Sequence, residues 1–210
     1  MANTRSLPWG PSLFELDDRP RPDADFRGAQ RQHLAGGAWI EHVDGWLAGA
    51  SAVFEELVDA VPWQEGDQLM YGARVATPRR TWWWAQDTAP PDARRSIPAI
   101  DAARALLSAR YGRPLTSVGF NLYRDGADSV AWHGDRVARD HTDAVIAIVS
   151  VGARRPFRLR PKAGGASLAF ALGAGDLLVM GGSCQRTWQH SVPKVARAAP
   201  RISITFRHSF

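Results

Sequence analysis

The sequence predicts a mainly β protein with flanking helices, a double-stranded β-helix or jelly roll. Three observations lead there. From Leu115 onward the chain breaks into eight short apolar runs punctuated by Gly, Pro and Asp, the pattern of a sandwich or barrel. Two amphipathic helical stretches precede them, placed to pack outside one sheet. The chain has 210 residues, 45% of them hydrophobic and 22% charged, which suits one folded domain. A chain of this length buries roughly 70% of its unfolded surface and needs no disulfide or metal to fold. Two jelly-roll sheets enclose a mouth that can hold a metal and a small ligand.

Residues 1–38 are rich in Pro, Asp and Arg and read as an extension packed on the body, with 39–210 as a single domain. Trp46 to Val61 carries Trp46, Leu47, Val53, Phe54, Leu57, Val58 and Val61 at helical spacing, with Asp44 as cap and Pro62 as stop. Ile97 to Tyr111 is the second helix, with Ser96 and Pro98 at its start and Gly112 and Pro114 past its end. The strands are then Ser117–Arg124, Ser129–His133, Ala144–Ser150, Phe157–Arg160, Leu168–Leu172, Asp176–Met180, Thr187–Val192 and Ile202–Phe206.

Composition removes several classes. Cys184 is the only cysteine, so an intramolecular disulfide and a Cys-based zinc site are excluded. No apolar run approaches a membrane span. Met1 to Leu16 lacks the apolar stretch of a secretory signal, and a cytoplasmic monomer is the expectation. The net charge of +5 comes from 26 basic and 21 acidic residues. It fits a phosphate-binding surface or a plain solvated one equally well.

Four groups of residues carry chemistry. His133 and Asp135 flank Gly134, and in an extended chain residues i and i+2 share a face. A third ligand beside them makes a 2-His-1-carboxylate face, which suits non-haem Fe(II) with open positions. His190, in a later strand, is either that ligand or a structural histidine. In the run from Arg201 to Arg207, Ile202, Ile204 and Phe206 face one side and Arg201, Ser203, Thr205 and Arg207 the other. The two arginines lie roughly 20 Å apart at their Cα atoms, so their arms could bracket a small dicarboxylate. Otherwise this is an edge strand with its arginines in water. Asn121 and Tyr123 share a face opposite Val118, Phe120 and Leu122, offering an amide and a phenol to a carboxylate or simply lining a polar sheet face.

Taken in order, Asn121-Leu122-Tyr123-Arg124-Asp125-Gly126, Trp132-His133-Gly134-Asp135, Trp188-Gln189-His190-Ser191-Val192-Pro193 and the run Arg201 to Arg207 resemble the AlkB family of Fe(II)- and 2-oxoglutarate-dependent dioxygenases. The resemblance runs from about Thr77 to the C-terminus. It implies that His133, Asp135 and His190 hold Fe(II). It places Arg201 on the distal carboxylate of 2-oxoglutarate with Tyr123, and Arg207 near the chelating end with Asn121. Ser203 stands where relatives often carry asparagine. Arg136 and Val137 stand where many carry acidic residues that touch the damaged base.

Thr77-Pro78-Arg79-Arg80-Thr81-Trp82-Trp83-Trp84 resembles the family's nucleotide-recognition lid, here around 70–95. In an extended segment Trp82 and Trp84 share a face and Trp83 takes the other. A site tryptophan can stack a flipped base, and Trp84 is the expected one; the other reading has all three filling the core. Arg79 and Arg80 are expected along a phosphate backbone, with Arg136 nearby.

The resemblance thus implies oxidative dealkylation of nucleobases such as N1-methyladenine and N3-methylcytosine, with O₂ and 2-oxoglutarate as cosubstrates. The alkyl carbon is hydroxylated and leaves as an aldehyde. The expected partner is nucleic acid with alkylated bases, single-stranded DNA first, presented by base flipping where it is paired. Two other readings use the same residues: a 2-oxoglutarate-dependent hydroxylase of a protein or small molecule, and a jelly-roll binding module without catalysis.

Overall fold

The computed structural model describes residues 19–70, 73–85, 97–135 and 143–208. Its frame is an eight-stranded antiparallel sheet. The order is β2 (Gln30–His33), β3 (Ala38–Val43), β12 (Leu177–Gly182), β9 (Ile146–Gly152), β14 (Arg201–Arg207), β7 (Ser117–Tyr123), β6 (Ala73–Ala85) and β5 (Gln64–Met70). A second antiparallel sheet has the order β11 (Leu168–Leu172), β10 (Arg155–Pro161), β13 (Trp188–Val192) and β8 (Val130–His133). A short ribbon pairs β1 (Arg21–Pro22) with β4 (Leu47–Ala48).

Two apolar layers result. Val145, Ala147, Val149 and Val151 pack with Val118, Phe120, Leu122, Ile202, Ile204 and Phe206 against helix α1 (Ala50–Ala60) and helix α2 (Pro98–Tyr111). Ile146 and Ile148 point the other way, into a layer with Tyr123, Phe157, Leu159 and Trp188. Every residue of β9 is therefore buried. That explains its unbroken apolar sequence, since a strand covered on both faces has no polar side to alternate with. The mouth of the two sheets lies where β8 and β13 face β7 and β14.

The expected strands all occur, with ends shifted by up to two residues. Four further strands, β2, β3, β5 and β6, extend the large sheet. β3 escaped the strand pattern because its core face is interrupted by a buried carboxylate. Glu41 is 3% exposed, bonded by Arg31, Arg110 and the Tyr111 hydroxyl. The first helix begins at Ala50, so Asp44 is not its cap. Gly45 and Gly49 take positive φ of 57° and 64°, and between them Leu47–Ala48 pairs with Arg21–Pro22. Burial of Trp46 and Leu47 thus comes from that ribbon, which helical spacing alone does not distinguish from a helix. The second helix ends as read, at Gly112 with φ 62°.

Candidate active site

β8 and β13 pair so that His133 lies opposite His190 and Val130 opposite Val192. Three steps on β8 match two on β13, so β8 carries one extra residue, a bulge that re-aims the strand end. Val130 and His133 both reach the cavity as a result. After His133 the chain turns through Gly134. A Cβ there would meet the Gln185 carbonyl oxygen at 2.5 Å, so the approach requires glycine. Asp135 follows, its N–H bonded to the Gln185 side-chain oxygen at 2.9 Å.

One ligand atom from each of His133, Asp135 and His190 lies within 4.8 Å of the others. The Asp135 Oδ1 is 3.5 Å from His133 Nε2 and 3.8 Å from His190 Nε2. His133 Nδ1 lies 2.8 Å from the Ala131 carbonyl. A carbonyl only accepts, so Nδ1 carries the hydrogen and Nε2 keeps its lone pair for the site. His190 is 6% exposed and stacks on Phe157. Burial, with His133 beside it, pulls its pKa down to about 4, so it is neutral near pH 7. Burial also opposes ionisation of Asp135. In the acid range where it titrates both imidazoles are protonated, and the His133 hydrogen bond with the His190 and Arg207 charges outweighs burial and holds this carboxyl far below its usual range. For His133 the pull of Asp135 overcomes burial and raises the pKa.

The opposite wall comes from β7 and β14, paired Arg201 to Tyr123 and Ser203 to Asn121. Asn121, Tyr123, Arg201, Ser203, Thr205 and Arg207 line the same cavity as the three convergent residues. Arg201 is 1% exposed. Its Nη2 donates to Ser150 Oγ at 2.7 Å, while Nε and Nη1 have no hydrogen-bond partner among the described residues. Burial lowers its pKa to about 10, still charged at pH 7. A buried cation with unmet donors is a socket for an anion. Arg207 sits at the strand's other end, with Nη1 3.4 Å from Asp135 Oδ2. Asn121 accepts from Arg79 Nε at 2.9 Å and donates to Ser203 Oγ at 3.4 Å.

The tryptophan run falls out differently from expectation. β6 pairs Trp83 with Gly119 and Trp84 with Val118. Trp82 and Trp84 pack on the helix-side core, and Arg104 of α2 lies 5.3 Å over the Trp84 ring. The expectation that Trp82 and Trp84 line the site is thus corrected: strand alternation turns both away. Trp83 lines the cavity, is 43% exposed and carries the Arg207 guanidinium 3.9 Å above its ring. Gly119 makes room for it, since a Cβ there would meet the Trp83 ring at 2.2 Å. Arg80 shares the face of Trp82 and Trp84. It pairs with Glu65, with its side chain 12% exposed. Arg79 does line the cavity, but its guanidinium is bonded to Asn121 and to the Ser129 carbonyl. Arg136 lies outside the described residues.

Sequence reasoning missed Trp83, Gln185, Ser150 and Arg155. Trp83 was legible as the odd member of the alternation. Arg155 is 1% exposed and donates to the carbonyls of Asp125, Asp128 and Pro193, tying the loop before β8 to the loop after β13. No local pattern announces such a role.

Residues 48–207 match the family described as the 2OG-Fe(II) oxygenase superfamily. The chain belongs to this superfamily. Among its relatives, the alpha-ketoglutarate-dependent dioxygenase alkB homolog 3 of Bos taurus is 32% identical over 77% of this chain and 62% of the relative. The DNA oxidative demethylase ALKBH2 of Homo sapiens is 29% identical over 90% of this chain and 82% of that protein. The chain is accordingly AlkB-like, and it spans about 62% of the length of the alkB homolog 3 relatives. Two solved structures share the fold, each with a TM-score of 0.57 and 16% identity. One is a prolyl hydroxylase in complex with a hypoxia inducible factor peptide from Trichoplax adhaerens, matched over 82% of this chain and 84% of that one. The other is OsALKBH1, matched over 86% of this chain and 100% of that one. The superfamily uses Fe(II), 2-oxoglutarate and O₂, and this chain has residues that fit them. Two imidazoles and a carboxylate converge, and a buried arginine keeps two donors unmet.

Proposed function

We propose that this oxygenase removes alkyl groups from nucleobases in nucleic acid by oxidation at the alkyl carbon. The observation that carries the reading is the pairing of the His133, Asp135 and His190 cluster with the unmet donors of Arg201 in one cavity. His133, Asp135 and His190 would hold Fe(II), which when bound supplies the oxidising chemistry with O₂ and 2-oxoglutarate. Arg201, with Tyr123 beside it, grips the distal carboxylate of 2-oxoglutarate. Arg207 and Asn121 lie toward the metal-facing end.

Ser203 and Thr205 complete the polar floor between the two arginines. Trp83 at the mouth offers an aromatic face to an extruded base. Two observations favour nucleic acid as substrate. The ALKBH2 relative is named as a DNA oxidative demethylase. From Ala144 to Phe210 the only acidic residue is Asp176, which is buried with both oxygens bonded to backbone N–H groups. Arg154, Arg158, Lys162, Lys194 and Arg197 are exposed in the same stretch, a surface suited to phosphates. N1-methyladenine and N3-methylcytosine in single strands are the first substrates to try.

The test is product mass spectrometry on oligonucleotides carrying one defined methylated base, with Fe(II), 2-oxoglutarate and O₂ supplied. Loss of one methyl per succinate formed is expected, abolished in Asp135→Ala while the thermal transition persists. Steady 2-oxoglutarate turnover with an untouched oligonucleotide would move the reading to a hydroxylase of a protein or small molecule.

A further inference from the structure

Gln185 belongs to a four-residue helix, α3 (Cys184–Thr187), between β12 and β13. It is 2% exposed and makes contact in three directions. Its Oε1 accepts the Asp135 N–H at 2.9 Å, and its Nε2 points at Met180 Sδ, 3.5 Å away, on β12. Its own carbonyl accepts from Lys162 Nζ at 3.3 Å and lies against Gly134, where a Cβ would come within 2.5 Å of it. β8 ends at His133, so ladder hydrogen bonds no longer hold the chain at Asp135. Five residues after Gln185, the same segment delivers His190.

We infer that Gln185 is a positioning residue for the metal centre: it fixes the Asp135 backbone against the segment that carries His190, and so sets the spacing of the three ligands. The inference rests on the metal reading above and adds a residue to it. Partners that orient a ligand without touching the metal typically govern affinity by about 10- to 100-fold. A buried amide is suited to this position. Its oxygen takes the Asp135 N–H, and its nitrogen has the polarizable Met180 sulfur as partner.

The experiment titrates metal-free protein with Mn(II) alone, read by electron paramagnetic resonance, with no cosubstrate present. Gln185→Met keeps length and volume and deletes the acceptor. Gln185→Glu keeps an oxygen at the same reach. Thermal melts of each metal-free variant report the fold. Gln185→Met should bind Mn(II) about 10- to 100-fold more weakly with its melt preserved, and Gln185→Glu should recover most of that loss. Wild-type affinity in Gln185→Met, or equal losses in Met and Glu variants, would overturn the inference. Should Gln185→Met not melt cooperatively, Gln185→Asn decides, because it withdraws the oxygen by one methylene. Unchanged affinity there also overturns the inference. His190→Ala separates the two claims: unimpaired Mn(II) binding in that variant would sink the metal centre itself.

Discussion

At Arg201, Ser150 takes one N–H while Nε and Nη1 stay unmet in the cavity wall. Removing a carboxylate partner from a buried guanidinium costs roughly 2–5 kcal/mol. Lysine in the same place keeps the charge and loses the planar fork. Arg201→Lys should therefore raise the 2-oxoglutarate KM at least roughly tenfold, since about 1.4 kcal/mol is a factor of ten. Steady-state kinetics with 2-oxoglutarate as the varied component measures this. An unchanged KM would mean that the two free donors serve some other anion.

One rung up, β6 shows how an element sorts neighbouring residues of one type. Arg79 and Trp83 enter the cavity while Trp82 and Trp84 join the helix-side core. Trp83→Ala should cut turnover of methylated oligonucleotide more than it cuts uncoupled 2-oxoglutarate consumption, with base stacking worth roughly 1–3 kcal/mol. Trp84→Ala should act on folding instead. It empties a packed position next to α2 and removes the contact with Arg104, for a loss of roughly 3 kcal/mol in folding stability with the ratio of activities unchanged. Chemical denaturation and both activity assays on the two variants check the pair. Equal ratios in Trp83→Ala and wild type would remove Trp83 from substrate binding.

The β8 to β13 register is the second lesson at this scale. A two-residue rule predicts that His133 and Asp135 share a strand face. The strand instead ends at His133 after a bulge, and Gly134 and Gln185 bring Asp135 round. Convergence was foreseen, and the route was not.

For the molecule as a whole, two buried carboxylates outside the cavity contribute to its behaviour in acid. Burial works against ionisation of Glu41, but hydrogen bonds and charge from Tyr111, Arg110 and Arg31 win and lower its pKa. For Asp128 burial is likewise overcome, by side-chain and backbone hydrogen bonds from Arg124 with its charge and that of Arg155. The unfolded chain takes up these protons near pH 4, the folded chain only below that. Their stabilisation is thus whole above about pH 4 and drains away as pH falls through the lower folded values. Asp128→Asn should unfold more readily at pH 7 and show a flatter decline between about pH 4 and pH 2, followed by circular dichroism. A wild-type acid limb in that variant would contradict the assignment.

Charge is also divided along the chain. Asp176 is the lone acid after Ala144, against exposed arginines and lysines on the smaller sheet and its loops. Binding of single-stranded methylated DNA should weaken as salt rises, with a log–log slope of about −0.7 for each phosphate contacted. Fluorescence anisotropy across a salt series reads the slope. A flat series would argue against a phosphate track.

The jelly-roll class, the presence of two helices and the order in which cavity residues arrive were legible along the chain. Alternation and turn residues are local, and a strand such as Arg201 to Arg207 declares both its faces within seven residues. The ordered segments that resemble the AlkB family also pointed to the three convergent ligands and both arginines, and all of these but Asp135 sit on strands, whose period is two. Only the tertiary structure decided which face of β6 looks into the cavity, since alternation groups Trp82 with Trp84 without saying which side is core. It decided too that Glu41 is buried among arginines brought from elsewhere in the chain, and that Gln185 and Ser150 serve residues 50 and 51 positions away. Such contacts are made where the fold packs distant segments together, and no window along the chain contains both partners.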